Sequence, residues 1–339
     1  MVDVAPDDTV EELVEGLAAA QAYLLSLGIT GWQDAWVRPV DHEAYRALDL
    51  AGDLVARVVG ALWWDRTRGA EQLDDHLAMG TEGTDRYLPR ALKLMVDGTI
   101  ENGTGAVCSP YVGTSDHGLT FIDRDTLMEV VPRAMAAGIQ PHFHAIGDCA
   151  IGSALDAVAA GDPADAKRTR PHIAHIQLIA PDDVARFAAL GVAGNAQMQW
   201  AQHDSMMVDL TIPRLGTTRS AWQYPFRSLL DHGAHIAGGS DWSVSTPDPF
   251  SQMSVAVERS TAEAPEPFLP HEALTREEAL TAFTAGSAWV NHDEDRAGTI
   301  EPGKAADFAI ASDDPLTAPD LSAIEVTTTI VGGRVVSGA

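Results

Sequence analysis

The chain has 339 residues, 45% of them hydrophobic, with 49 acidic against 22 basic side chains and a formal net charge of −27. That length is far above the size at which core burial limits folding, and it suits one large domain or two smaller ones. A field of this sign repels phosphate backbones and excludes nucleic acid as a partner, and no apolar run nears the roughly 18 residues that a membrane span needs.

The opening stretch, Met1 to Asp8, is acidic and lacks the basic start and apolar core of a signal peptide, so the expected compartment is the cytoplasm. Lysine is confined to Lys93, Lys167 and Lys304. Acid-rich, lysine-poor surfaces suit high salt, where self-repulsion is screened. Cys108 and Cys149 have no metal-site spacing and read as two small buried hydrophobes, not a disulfide framework.

Residues 9–28 carry Leu13, Leu17, Ala20 and Leu24 at helical spacing, with Gly28 as the stop. A short strand follows over 29–34, a helix over 41–51, and a second strand over 54–63. A helix near 71–80 leads to a third strand over 91–96, ending at Asp97-Gly98. Residues 98–120 form a long Gly-, Thr- and Ser-rich loop of the kind that is often functional. A helix over 124–138 feeds Gln140-Pro141-His142-Phe143-His144, where the two histidines at i, i+2 share one face of a strand. A helix then runs to about Gly161, and 161–170 reads as a polar surface connection. Further strands fall at 173–176, 192–198 and 234–241, with helices at 181–190 and 219–233.

Seven strand–helix units in a row argue a parallel sheet. Ligand-type residues at several strand ends favour a (β/α)8 TIM-like barrel over an open doubly wound sheet. No Gly-x-Gly-x-x-Gly follows a strand, which weakens a dinucleotide-binding reading. One strand is short of eight. After a helix at 275–290 the pattern becomes short strands with Gly turns. The expected division is therefore a barrel over 1–295 and a small β-sandwich appendage over 296–339.

Lys93, His142 or His144, His175 and Asp241 each sit at the end of a different predicted strand. Nitrogen and oxygen donors converging on one barrel mouth describe a divalent metal site, with zinc as the default. Taken singly, each has a plain structural alternative: a salt-bridged lysine, a packed histidine, a turn aspartate.

In this order, the motifs resemble the amidohydrolase superfamily and its YtcJ-like branch. They are Leu27 to Ala35, Leu92-Lys93-Leu94-Met95-Val96-Asp97-Gly98-Thr99, His144-Ala145-Ile146-Gly147-Asp148, His172-Ile173-Ala174-His175, Gly239-Ser240-Asp241-Trp242 and Gly298 to Asp307. The resemblance implies a metal-dependent hydrolase of non-peptide carbon–nitrogen bonds acting on a small amide-type substrate. His144 and His175 would be ligands of one or two metals. Asp241 would be a ligand and the general base on a metal-activated water. Lys93 would be the lysine that bridges two metals when carboxylated. His142 ranks second as a site residue, and Trp200, His203 and Met206 are candidates to shape the pocket.

The family begins its barrel with a strand carrying His-x-His, and no such strand precedes Leu27 here. The absent eighth strand and the absent ligands are therefore one absence. An open barrel exposes strand edges, so association with a second copy or with a separate N-terminal segment is expected. Two other readings stand beside the hydrolase: a catalytically impaired fragment or subunit, and a non-hydrolytic barrel enzyme using Lys93 as a Schiff base.

Overall fold

The structure, a computed structural model, describes residues 8–338. The acidic opening over residues 1–7 lies outside the described residues. Seven parallel strands, neighbours in chain order, form one sheet: β1 (Gly31–Val37), β2 (Arg57–Trp63), β3 (Tyr87–Met95), β4 (Gln140–Ala145), β5 (His172–His175), β6 (Ala193–Ala196) and β7 (Ile236–Gly238). Helices follow the strands and cover the outer face. The sheet curls back on itself, since Gln33 on β1 bonds Gln140 on β4 and His172 on β5. Among the described residues β1 and β7 do not pair, so the barrel is open between them. This is the incomplete (β/α)8 barrel that the pattern predicts.

Local sequence explains the parts. The first helix, Val10–Ser26, starts with a capping box in which Thr9 and Glu12 each accept the other's backbone N–H. On β2, Val58 and Leu62 face outward onto Val37, Tyr45, Leu48 and Tyr87, while Val59 and Ala61 face inward with Ala91. That split is the period-2 alternation of a strand. The main core lies between the sheet and its helices, where Leu92, Leu94, Phe143 and Ile173 meet Leu127, Val131, Ile151 and Phe187.

Several elements depart from the sequence reading. The connection at 161–170 contains a helix, Pro163–Thr169, capped by Asp162. The helix expected over 219–233 is divided into Ile212–Ser220 and Phe226–Asp231. Pro225 causes the break: it disfavours helical geometry at the preceding residue, and Tyr224 sits at φ 47°. The helix at 275–290 is continuous but carries a π turn over Ala282–Gly286. An unread helix, Pro249–Glu258, begins where Asp248 Oδ1 accepts from Phe250 N at 2.9 Å.

The reading of the cysteines as two separate buried hydrophobes is corrected. Cys108 and Cys149 are disulfide-bonded, with Cα atoms 5.0 Å apart. The loop after β3 folds back onto the start of the helix Asp148–Ala159, where Cys149 N donates to Ala106 O and Cys108 N to Asp148 Oδ1. Spacing cannot reveal that return across 41 residues.

The C-terminal strands β8 (Phe308–Ala311), β9 (Val326–Val331) and β10 (Arg334–Gly338) form a separate antiparallel sheet. It is tied to the barrel side by Thr329 Oγ1 donating to Leu25 O and by an ion pair of Arg57 with Asp307. Among the described residues no helix is long and apolar enough to cross a membrane.

Candidate active site

Ladder register places the site. Trp63, Lys93, His142 and His172 pair in one row across β2 to β5. Met95, His144, Ala174 and Asn195 form the next row toward the C-terminal ends. Paired residues of a parallel ladder share a face, so both rows point into the barrel. Lys93 Nζ donates to His142 Nε2 at 3.1 Å, and the His142 ring lies 4.0 Å from that of His172.

His175 belongs to a row that alternation would turn outward. Left-handed backbone at His175 (φ 77°) and Ile176 (φ 41°) reverses this. The His175 ring meets that of His144 at 4.5 Å and stacks on Trp200 at 5.2 Å. Gln197 Oε1 holds the turn by accepting from His175 N at 2.7 Å. Asp241, just past β7, is also left-handed, at φ 53°. Gly239 allows that chain to pass close to β6, because a Cβ there would stand 2.5 Å from Asn195 Oδ1. A cavity of about 1440 Å³ beside the open edge is lined by Gln33, Lys93, His142, His175 and Asp241. His144 stands behind His175, with Nε2–H directed at Gly98 O, 3.1 Å away. That contact leaves His144 Nδ1 as its unprotonated donor.

Burial sets the charge states. It lowers Lys93 to about 8, with Asp241 opposing, and lowers His144 to about 4 and His172 to about 3, with Lys93 adding. His142 and His175 fall well below the usual histidine range for the same reason. Burial raises Asp241, against the pull of Lys93. The imidazoles are therefore neutral at neutral pH, the form that ligates metals. Buried Nδ1 atoms of His142 and His175 have no hydrogen-bond partner.

This donor set fits a divalent metal in its chemistry: neutral imidazoles, a carboxylate and a buried lysine of lowered basicity. It is gathered at one end of the sheet but not drawn together. Among the described residues only His42, Glu43 and Glu82 bring three such atoms within 4.8 Å. That cluster is on the outside, where Arg46 bonds both carboxylates and Tyr87 Oη meets His42 Nδ1.

A profile of the amidohydrolase family matches residues 1–337. The chain belongs to the amidohydrolase family. This amidohydrolase chain is 30% identical over 251 residues to the putative amidohydrolase YtcJ of Bacillus subtilis, covering 73% of the chain and 46% of YtcJ. It is 27% identical to the N-substituted formamide deformylase of Arthrobacter pascens, covering 95% of the chain and 60% of the deformylase. Among solved structures it resembles an uncharacterized metal-dependent hydrolase from Pyrococcus horikoshii, with a TM-score of 0.81, 27% identity, and coverage of 93% of the chain and 62% of that protein. The amidohydrolase chain thus spans less than two thirds of the length of these relatives.

Two features of the site escape sequence reading. Asp97 is fully buried and accepts from Ile146 N, Gly147 N and Ala106 N, 3.6 Å from His144 Nε2. Its Asp-Gly context signals only a turn. His172 is held from both sides, with Nε2 directed at Gln33 Oε1 and Nδ1 facing Asn195 Nδ2. Its spacing from His142 carries no hint of that frame.

Proposed function

We propose that the chain is the catalytic part of a metal-dependent hydrolase of non-peptide carbon–nitrogen bonds, acting on small amides, formamides or cyclic amides. The gathering of Lys93, His144, His175 and Asp241 at the C-terminal end of one parallel sheet supports this best. The kinship with a deformylase supports the bond type. His144, His175 and Asp241 would hold a divalent metal, with zinc as the default, and Lys93, if carboxylated, would help to hold a second. When bound, the metal supplies Lewis acidity to the attacking water and to the scissile carbonyl.

The protein's own groups do the rest. Asp241, raised by burial, takes a proton from water on its carboxylate and returns it to the leaving nitrogen. Lys93, lowered to about 8, carries a Nζ able to lose its charge. The spread of the donors and the opening between β1 and β7 favour a site completed by a further strand seated in that opening. Such a strand would come from another segment of the same protein or from a separate chain.

The test is release of amine from N-substituted formamides and acetamides. Turnover should be lost on chelation, restored by zinc, and reduced by at least about a hundredfold in Asp241→Asn. Turnover that is insensitive to chelator would overturn the metal-dependent reading.

A further inference from the structure

A side-chain amide has one accepting end and one donating end, so a row of amides has a direction. One such row crosses the inside of the barrel. His175 N can only donate, so the atom 2.7 Å from it is Gln197 Oε1. Gln197 Nε2 then donates to Asn195 Oδ1 at 3.0 Å, and Asn195 Nδ2 donates to His172 Nδ1 at 3.4 Å. His172 Nε2–H donates to Gln33 Oε1 at 2.9 Å, and Gln33 Nε2 to Gln140 Oε1 at 3.0 Å. At the far end Gln140 Nε2 donates to two carbonyls that can only accept, Arg170 O at 2.9 Å and Val290 O at 2.8 Å.

Backbone groups thus set the sense of the row at both ends, and the two senses agree. Turning over any one amide would set N–H against N–H, or oxygen against oxygen, away from water. His172 fits the row only as the neutral ring with its proton on Nε2. Both of its nitrogens are then engaged, although it pairs with His142 in the ladder.

Gln197 is where the row reaches the site. It bonds the backbone of His175, and Nδ1 of that ring keeps no partner. A left-handed residue such as His175 persists only where its surroundings hold it. The chain leading to Asp241 lies against the same amides. A Cβ on Gly239 would stand 2.5 Å from Asn195 Oδ1 and 2.8 Å from Gln197 Nε2. Asn195, Gln197, His175 and Asp241 all line one cavity.

Building on the hydrolase reading, we infer that Gln197 is a positioning residue of the metal site. Its Oε1 aims the His175 ring, and its Nε2 end backs the turn that carries Asp241. The row behind it, through Asn195 and His172, keeps the amide from turning over.

Nuclear magnetic resonance of the metal-free full chain with labelled histidines, and zinc titration of the same samples, test this. In the unaltered chain His172 should carry its proton on Nε2 alone at neutral pH. The His175 ring protons should be displaced upfield by Trp200, which stacks on that ring at 5.2 Å. Gln197→Met should remove the displacement and weaken zinc binding at least about tenfold. Gln197→Glu, which keeps an oxygen for His175 N, should retain the displacement and most of the affinity. A purely structural role would lower the urea midpoint of Gln197→Met and leave both readouts unchanged, which would overturn the inference. So would a proton on His172 Nδ1, or a Gln197→Glu chain no better than Gln197→Met. If the unaltered chain binds no zinc while the His175 displacement follows residue 197, the hydrolase reading falls and the positioning role stands. If zinc binds equally well to the unaltered chain and to Gln197→Met, the positioning role falls and the hydrolase reading stands.

Discussion

Asp97 shows how a single side chain can hold the site. Its carboxylate satisfies three backbone N–H groups from two separate segments, so Asp97→Ala would leave all three buried without a partner. The expected loss is about 3 kcal/mol of unfolding free energy, measured by denaturant melting. The His144-Ala145-Ile146-Gly147-Asp148 motif was legible because its residues are contiguous. Asp97 was not, because its donors lie 9 to 50 residues away. His175 was correctly placed at a strand end, but the left-handed turn that aims it inward has no sequence signature. The buried histidines also carry a pH consequence. His172 titrates at about 3 in the folded chain and near 6.5 when unfolded. Between these values the unfolded chain binds more protons, so this stability is complete above 6.5 and is lost as pH falls. Asp97, which burial raises to about 7, acts in the opposite direction, but four buried histidines outweigh it, so the metal-free chain should melt at lower urea at pH 5 than at pH 7.

At the scale of elements, the period-2 strands and their order were readable, and the open barrel follows from counting them. Boundaries failed where a local rule was overridden. Pro225 splits one helix, and β7 is only three residues long where a longer strand was read. The loop after β3 was recognised by its length and composition, but its attachment was not. It is fastened by Cys108–Cys149, by Ala106 O, and by Arg219, whose guanidinium donates to Ser109 O and Pro110 O. Closing a loop of this length contributes about 4 kcal/mol in the chain-entropy account. Cys149→Ser should lower stability by an amount of that order and speed amide exchange over residues 98–120. Unchanged exchange there would mean that the hydrogen bonds alone hold the loop. A persistent disulfide also belongs to oxidising surroundings, which weighs against the cytoplasmic expectation.

At the scale of the whole molecule, charge and incompleteness dominate. With 49 acidic and 22 basic side chains, self-repulsion opposes the compact state, and salt screens it. The melting temperature should rise steadily between about 0.1 M and about 2 M KCl, where the Debye length falls below 3 Å. A flat response would remove the high-salt reading of the composition. The opening between β1 and β7 exposes two strand edges beside the candidate ligands, and a strand docked there would protect the edges and add donors together. On the proposed reading the metal would be held at the mouth of the barrel and not by the outer His42 cluster. Zinc titration of the chain at high salt, compared with His175→Ala, Asp241→Ala and His42→Ala, tests it most directly. Saturable zinc binding should be lost in His175→Ala and Asp241→Ala and kept in His42→Ala. Binding that survives the first two substitutions, or disappears with His42→Ala, would contradict it.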